Sequence, residues 1–196
     1  MTTLLYVRQS KSGSTYVLGI RTEDVDERYK ISARLYHELG EPLRGSELTD
    51  AELEEIKRAD EGGRATKKAL SLLSYADSSE RGIMMKLRRA GYSSEIAEET
   101  ARDMVRHGYI DEHRQLLRLV EREANVSLSG PAKLLPKLSA KGYRADDIRA
   151  ALRELIDGGE VDLTENARRL VEKKLGDSPA PEERRALLYK YGYRSR

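Results

Sequence analysis

The sequence predicts a mainly α-helical protein, with tandem three-helix repeats forming an elongated curved body behind a small β-rich (α+β) N-terminal domain. Three observations predict it. Strand-like alternation is confined to the first ~35 residues, apolar positions from Arg64 onward recur at helical spacing, and segments recur at an offset of 50 or 51 residues. Composition agrees. Hydrophobic residues make up 38% and charged residues 36% of the 196 positions, which suits thin elements with one buried stripe better than a single thick core. With no Trp or Phe, eleven Tyr are the only aromatic residues, and the core must be built mainly from aliphatic side chains.

Taken in order, Leu4 to Arg8 alternate as a strand, Lys11 to Ser14 supply a turn, and Tyr16 to Arg21 make the return strand of a hairpin. Arg28 to Ile31 suggest a third strand. Ser32 is placed to cap a short helix through Leu39, ended by Gly40 and Pro42. Thr49 and Glu52 have the three-residue spacing of a capping box, so a second helix starts there. Gly62-Gly63 is expected to break that helix and to mark the boundary of an N-terminal domain, 1–63.

The remainder reads as three repeats, 64–110, 111–161 and 162–196, the last incomplete for want of a third helix. Leu87-Arg-Arg-Ala-Gly91-Tyr92 recurs as Leu138-Ser-Ala-Lys-Gly142-Tyr143 and again as Leu188-Tyr-Lys-Tyr-Gly192-Tyr193. Arg118-Leu-Val-Glu121 recurs as Arg169-Leu-Val-Glu172. Helices are expected over 65–74, 79–90 and 94–106, then 112–124, 131–141 and 145–157, then 166–175 and 181–191. The third helices correspond by position, Ala97, Thr100, Ala101, Met104 and Val105 matching Ile148, Ala151, Leu152, Leu155 and Ile156 in one amphipathic stripe. Gly91 and Gly142 fall where a helix must end with positive φ. Pro136 is expected to kink or shorten its helix. The incomplete third repeat would leave its stripe exposed.

Enzymatic chemistry finds little support. The absence of Cys excludes a disulfide scaffold, a thiolate zinc site and a cysteine nucleophile. There is no phosphate-binding Gly-rich loop and no Gly-x-Ser-x-Gly elbow. His107 and His113, six apart across a turn, make a poor metal site, and Glu52-Leu-Glu-Glu55 and Glu98-Glu99 read as solvated helix faces. Neither a secretory leader nor a membrane span is expected, so the reading is a cytoplasmic, monomeric binding protein without cofactor or metal.

Charge is distributed unevenly. Residues 1–63 hold nine basic and thirteen acidic side chains, a net −4, whereas 64–196 hold twenty-seven and twenty-one, a net +6. The candidate interface residues are Lys86, Arg88 and Arg89 in the first repeat and Lys133, Lys137 and Lys141 in the second. Lys173, Lys174, Arg184, Arg185 and Lys190 are their counterparts in the third. Side chains four apart line one helix face, and such a row can meet phosphates or an acidic protein surface. A solvated helix exterior is the plainer reading of the same charges.

These residues resemble the RecX family. Leu72-Leu-Ser-Tyr-Ala76-Asp-Ser78-Ser79-Glu80 is similar to the family's Leu-Leu-Ser-Tyr-Arg-x-Arg-Ser-Glu. It is followed by Lys86-Leu87 with Gly91-Tyr92, and by Gly108-Tyr-Ile-Asp111. Gly130-Pro131, Leu134, Leu138 and Lys141-Gly142 are similar to a further family segment, and Tyr29-Lys-Ile-Ser32 through Ile56 looks like the N-terminal extension of longer members. Ala76 and Ser78 replace the two motif arginines, and Gln115-Leu116 stands where the family has Tyr-Ala, so the charge pattern of the binding face differs. The resemblance implies a regulator, chiefly an inhibitor, of the RecA recombinase. It implies binding to the RecA filament on single-stranded DNA and restraint of ATP hydrolysis, strand exchange and stimulated repressor cleavage. A helical-repeat DNA-binding protein acting without RecA is the alternative.

Overall fold

A computed structural model describes residues 1–23 and 25–193. The N-terminal strands are β1 (Thr2–Gln9), β2 (Thr15–Thr22) and β3 (Val25–Ser32), antiparallel in sequence order. Helix α1 (Ala33–Glu38) follows, with the Ser32 hydroxyl accepting from the Leu35 N–H as its cap. A two-residue strand that the sequence does not advertise, β4 (Glu47–Leu48), pairs with β1 and completes a sheet of order β3-β2-β1-β4. Leu4, Leu18, Ile20, Tyr29 and Ile31 occupy one face of this sheet and pack with Leu35, Tyr36, Leu53 and Ile56.

Helix α2 (Asp50–Tyr75) opens on the expected capping box: Glu52 Oε2 accepts from the Thr49 N–H and Thr49 Oγ1 accepts from the Glu52 N–H. The break expected at Gly62-Gly63 is absent, and α2 runs through both glycines. Each glycine costs about 1 kcal/mol against Ala in a helix. Tertiary anchoring on either side offsets this. Asp60, almost wholly buried, accepts the Lys30 N–H of β3 at 2.9 Å and pairs with Arg64. Arg58 reaches both Glu95 and Glu99, Glu61 accepts the Ser93 N–H, and Ala65 and Ala69 are fully buried.

The remaining helices are α3 (Glu80–Arg89), α4 (Ser94–Arg106), α5 (Glu112–Asn125), α6 (Pro131–Ser139), α7 (Ala145–Asp157), α8 (Leu163–Leu175) and α9 (Pro181–Lys190). All begin and end within a few residues of the expected positions. The chain divides into two compact bodies, one of residues 1–72 with 87–100, the other of 73–86 with 101–196. In the second body Leu116, Leu119, Val120, Leu134, Leu138, Tyr143, Ile148, Ala151 and Leu155 form one core from α5, α6 and α7. Pro136 leaves α6 continuous, although the helix ends at Ser139, short of the expected Lys141.

The repeat is visible in the caps. Asp111 accepts the Arg114 N–H to start α5, and Asp162, 51 residues on, accepts from Thr164 and Glu165 to start α8. Buried Ile110 and Val161 precede them, each donating its N–H back to the preceding helix.

Candidate functional site

The cations named from the sequence fall into two groups. Lys86, Lys133 and Lys137 are committed to the fold. Lys86 Nζ donates to the Ser78 hydroxyl at 3.2 Å, and Lys133 Nζ stands 4.2 Å from the centre of the Tyr191 ring. Lys137 Nζ lies 2.6 Å from Glu123 Oε2, whose side chain is only 5% exposed. Burial alone would push the Glu123 carboxyl up. The hydrogen bond and charge of Lys137, with Ser127 and Arg122 assisting, outweigh it and hold the group below the ordinary carboxylate range. Reversing Lys137 would therefore place a second anion against the buried Glu123 carboxylate, so a binding defect in that variant would not isolate an interface.

The other eight, Arg88, Arg89, Lys141, Lys173, Lys174, Arg184, Arg185 and Lys190, are exposed. None forms an ion pair with another of the described residues. Lys141 lies past the end of α6, so the expected row of three along that helix is a row of two. Lys173 and Lys174 occupy the last turn of α8, where cations favour the helix dipole. Arg88 and Arg89 end α3, and Arg184, Arg185 and Lys190 lie on α9, a helix with no buried residue.

Sequence reasoning missed a groove of about 900 Å³ in the second body, bounded by α6, α7, α8 and the turn after α9. Leu135, Leu152, Leu163, Ala167 and Tyr193 line it, and Arg184 stands on its rim. The repeat explains the space. Leu116 and Leu134 are buried in repeat two, while their counterparts in repeat three are Ala167 and Arg184. One position has lost its bulk and the other its apolar character. That pair of replacements was readable from the offset alone. Among the described residues no group of three or more His, Asp or Glu side chains is placed to hold a metal, and no helix is long and apolar enough to cross a membrane.

The fold and surface together define a class: a tandem repeat of helix triplets presenting unpaired cations. No family model matches the chain. It is 29% identical over 120 residues to the regulatory protein RecX of Lactobacillus gasseri, covering 61% of this chain and 44% of that protein. It is 28% identical over 131 residues to that of Limosilactobacillus reuteri, covering 67% and 48%. The chain thus spans about half the length of the curated relatives it matches. A solved structure described as regulatory protein RecX superposes over 97% of this chain and 91% of its own, with a TM-score of 0.68 at 21% identity. RecX from Lactobacillus salivarius superposes over 69% of this chain and 90% of its own, with a TM-score of 0.58 at 22% identity, a likeness of fold. The resemblance read from the motifs is borne out: the chain is similar to RecX proteins in sequence over about two thirds of its length and in fold over nearly all of it.

Proposed function

We propose that this protein regulates the RecA recombinase, chiefly as an inhibitor, by binding the RecA filament on single-stranded DNA. In doing so it restrains ATP hydrolysis, strand exchange and co-protease activity in the SOS response. The observation that carries the reading is sequence similarity to RecX proteins, joined to fold likeness over nearly the whole chain. The exposed, unpaired cations on α3, α8 and α9 support it, because they can meet acidic protein loops and phosphates together. The action is binding alone: differential affinity for filament states shifts their populations, and no bond is made or broken. The proposed setting is the cytoplasm and the proposed working form a monomer. Its proposed organisation is an N-terminal domain, 1–63, followed by repeats at 64–110, 111–161 and 162–196.

The test is single-strand-dependent ATP hydrolysis by RecA, titrated with this protein at two salt concentrations. Suppression at substoichiometric protein, relieved by salt, is the expected result. Charge reversal at Lys173 and Lys174 should weaken suppression with only a small drop in the melting midpoint, from the lost interaction with the α8 dipole. A folded protein with no effect on intact filaments would overturn the reading in favour of DNA binding without RecA, which the same unpaired cations would serve.

A further inference from the structure

The face of the N-terminal sheet turned away from its core carries two cross-strand rows that the helical repeats do not explain. Register places Tyr6 beside Gly19 and Gly19 beside Arg28, and in the next row but one Arg8 beside Val17 and Val17 beside Lys30. The core-facing side chains of the same strands, Leu4, Leu18, Ile20, Tyr29 and Ile31, point the other way. The Tyr6 ring lies across Gly19, in the space a Cβ would take: such a carbon would stand 2.2 Å from Cε1 and 2.6 Å from Cδ1 and Cζ. The Arg8 guanidinium is stacked over that ring, 5.0 Å from its centre.

Arg8, Arg28 and Lys30 are exposed and none forms an ion pair with a described residue. Asp26, on the same face, is engaged by Arg21 at 2.6 Å. A stretch with a net charge of −4 over residues 1–63 thus places three unpaired cations on the sheet face that carries the Tyr6 ring. Strand spacing sets Arg28 about 10 Å from Tyr6 across the sheet.

Glycine inside a strand weakens it, and an aromatic neighbour laid over it restores some of the lost packing. That accounts for the ring. It does not account for the guanidinium stacked on the ring or for the two further cations in register. Stacked aromatic and guanidinium planes flanked by cations are what an unpaired base with its phosphates requires. A duplex keeps its base faces inside and has none to offer such a platform. We propose that this face binds single-stranded DNA, with a base stacked on the Tyr6–Arg8 pair and phosphates held by Arg28 and Lys30. The choice of DNA rests on the proposed action at RecA filaments; the stacking site itself rests on the sheet.

The native chain has no Trp, so Tyr6→Trp installs a single reporter on the platform. The variant of the 196-residue chain is titrated with a 20-nucleotide oligo(dT), without RecA, at several salt concentrations. The expected result is saturable quenching of the Trp emission. Plotted as log affinity against log salt, two phosphate contacts give a slope of about −1.4. Arg28→Glu with Lys30→Glu in the same background should weaken binding at least tenfold, and Tyr6→Ala in the native chain about tenfold by fluorescence anisotropy.

Bound oligo(dT) that leaves the Trp unquenched would overturn the proposal. So would equal quenching by oligo(rU), which would make the site one for RNA, or by polyglutamate, which would make it one for acidic peptides. If Tyr6→Trp fails to fold, the Arg28→Glu, Lys30→Glu pair on the native chain decides by anisotropy, since both side chains stand clear of the core. Unchanged affinity there sinks the site. Because RecA is absent, the outcome is separate from the ATPase titration: either can fail while the other stands.

Discussion

Two joints in the second body are built from the same turn and filled differently. At the first, Gly142 (φ 99°) ends repeat two's middle helix and docks where a Cβ would meet Ser79 Oγ at 2.4 Å and Gly82 N at 2.8 Å. Ser79 Oγ donates to the Lys141 carbonyl, Leu116 and Leu134 are buried, and the buried Tyr143 hydroxyl donates to Gln115 Oε1 at 3.0 Å. At the second, Gly192 (φ 87°) docks as closely on the start of α6, where the Gly130 and Ala132 N–H groups donate to the Tyr191 and Gly192 carbonyls. Ala167 and Arg184 replace the two leucines. Among the described residues the Tyr193 hydroxyl is buried without a partner, because its counterpart of Gln115 is the shorter Asn166, which is bonded to Asn125 and Arg169. Backbone docking survives the loss of side-chain filling. Repeat three therefore keeps its position while giving up part of its core.

The largest expected effect breaks the filled joint. Gly142→Ala combines a strained positive φ with a clash against backbone and should cost about 3 kcal/mol in urea unfolding. Gly192→Ala meets an equal clash, at 2.4 Å from Lys133 N, but releases a smaller core. Its signature should be faster amide exchange and proteolysis confined to α9, with a smaller change in global stability. Equal global losses would show that the two joints are energetically alike.

Removing the cation beside Glu123 comes next. Lys137→Met should cost about 2 kcal/mol, between the values for a fully buried and an exposed pair, since Lys137 itself is 46% exposed. In the native chain the folded carboxyl titrates below its unfolded value, so its contribution is complete above the unfolded pKa and is lost as pH falls through the folded one. The stability gap between native and variant should accordingly narrow on acidification through the carboxylate range.

A smaller pair of changes sharpens the comparison. Tyr143→Phe strips Gln115 of its donor and should cost about 1–2 kcal/mol, whereas Tyr193→Phe removes an orphaned hydroxyl and should be neutral or stabilising. Burial raises both phenols to about 12, so neither contrast should vary with pH below 10. Smallest, Arg184→Leu restores the apolar residue of repeat two and should add about 1 kcal/mol to thermal stability. If Arg184 also meets the filament, the same variant should suppress RecA less well.

Much of this was legible in the residues. The 50–51-residue offset located α5 to α9 within a few positions, because helix caps and the Gly-Tyr turns recur with the apolar stripe. The helix break at Gly62-Gly63 misled because local propensity ignores tertiary anchors. Arg58, Asp60 and Glu61 hold the turn before it and buried Ala65 and Ala69 the turns after it, and no local pattern reveals partners 30 to 41 residues away. Strand β4 has only two residues, too few for any period. For the cations, spacing showed which side chains share a helix face but not which of them a partner distant in sequence claims. Glu123 claims Lys137, and Tyr191 claims Lys133. The groove could have been found by setting Leu116 and Leu134 beside Ala167 and Arg184. The Tyr6–Gly19 contact needed register, which depends on the irregularity between Leu4 and Tyr6.

The carboxylate of Asp60 has a second effect. Strand β3 is an outer strand of its sheet, and outward N–H groups of that kind invite another chain to add itself as a further strand. By taking the Lys30 N–H, a helix side chain occupies the middle of that edge. The N-terminal domain thus guards itself against strand-by-strand self-association with one buried acid, and Asp60→Ala would reveal it as concentration-dependent aggregation before any loss of helix.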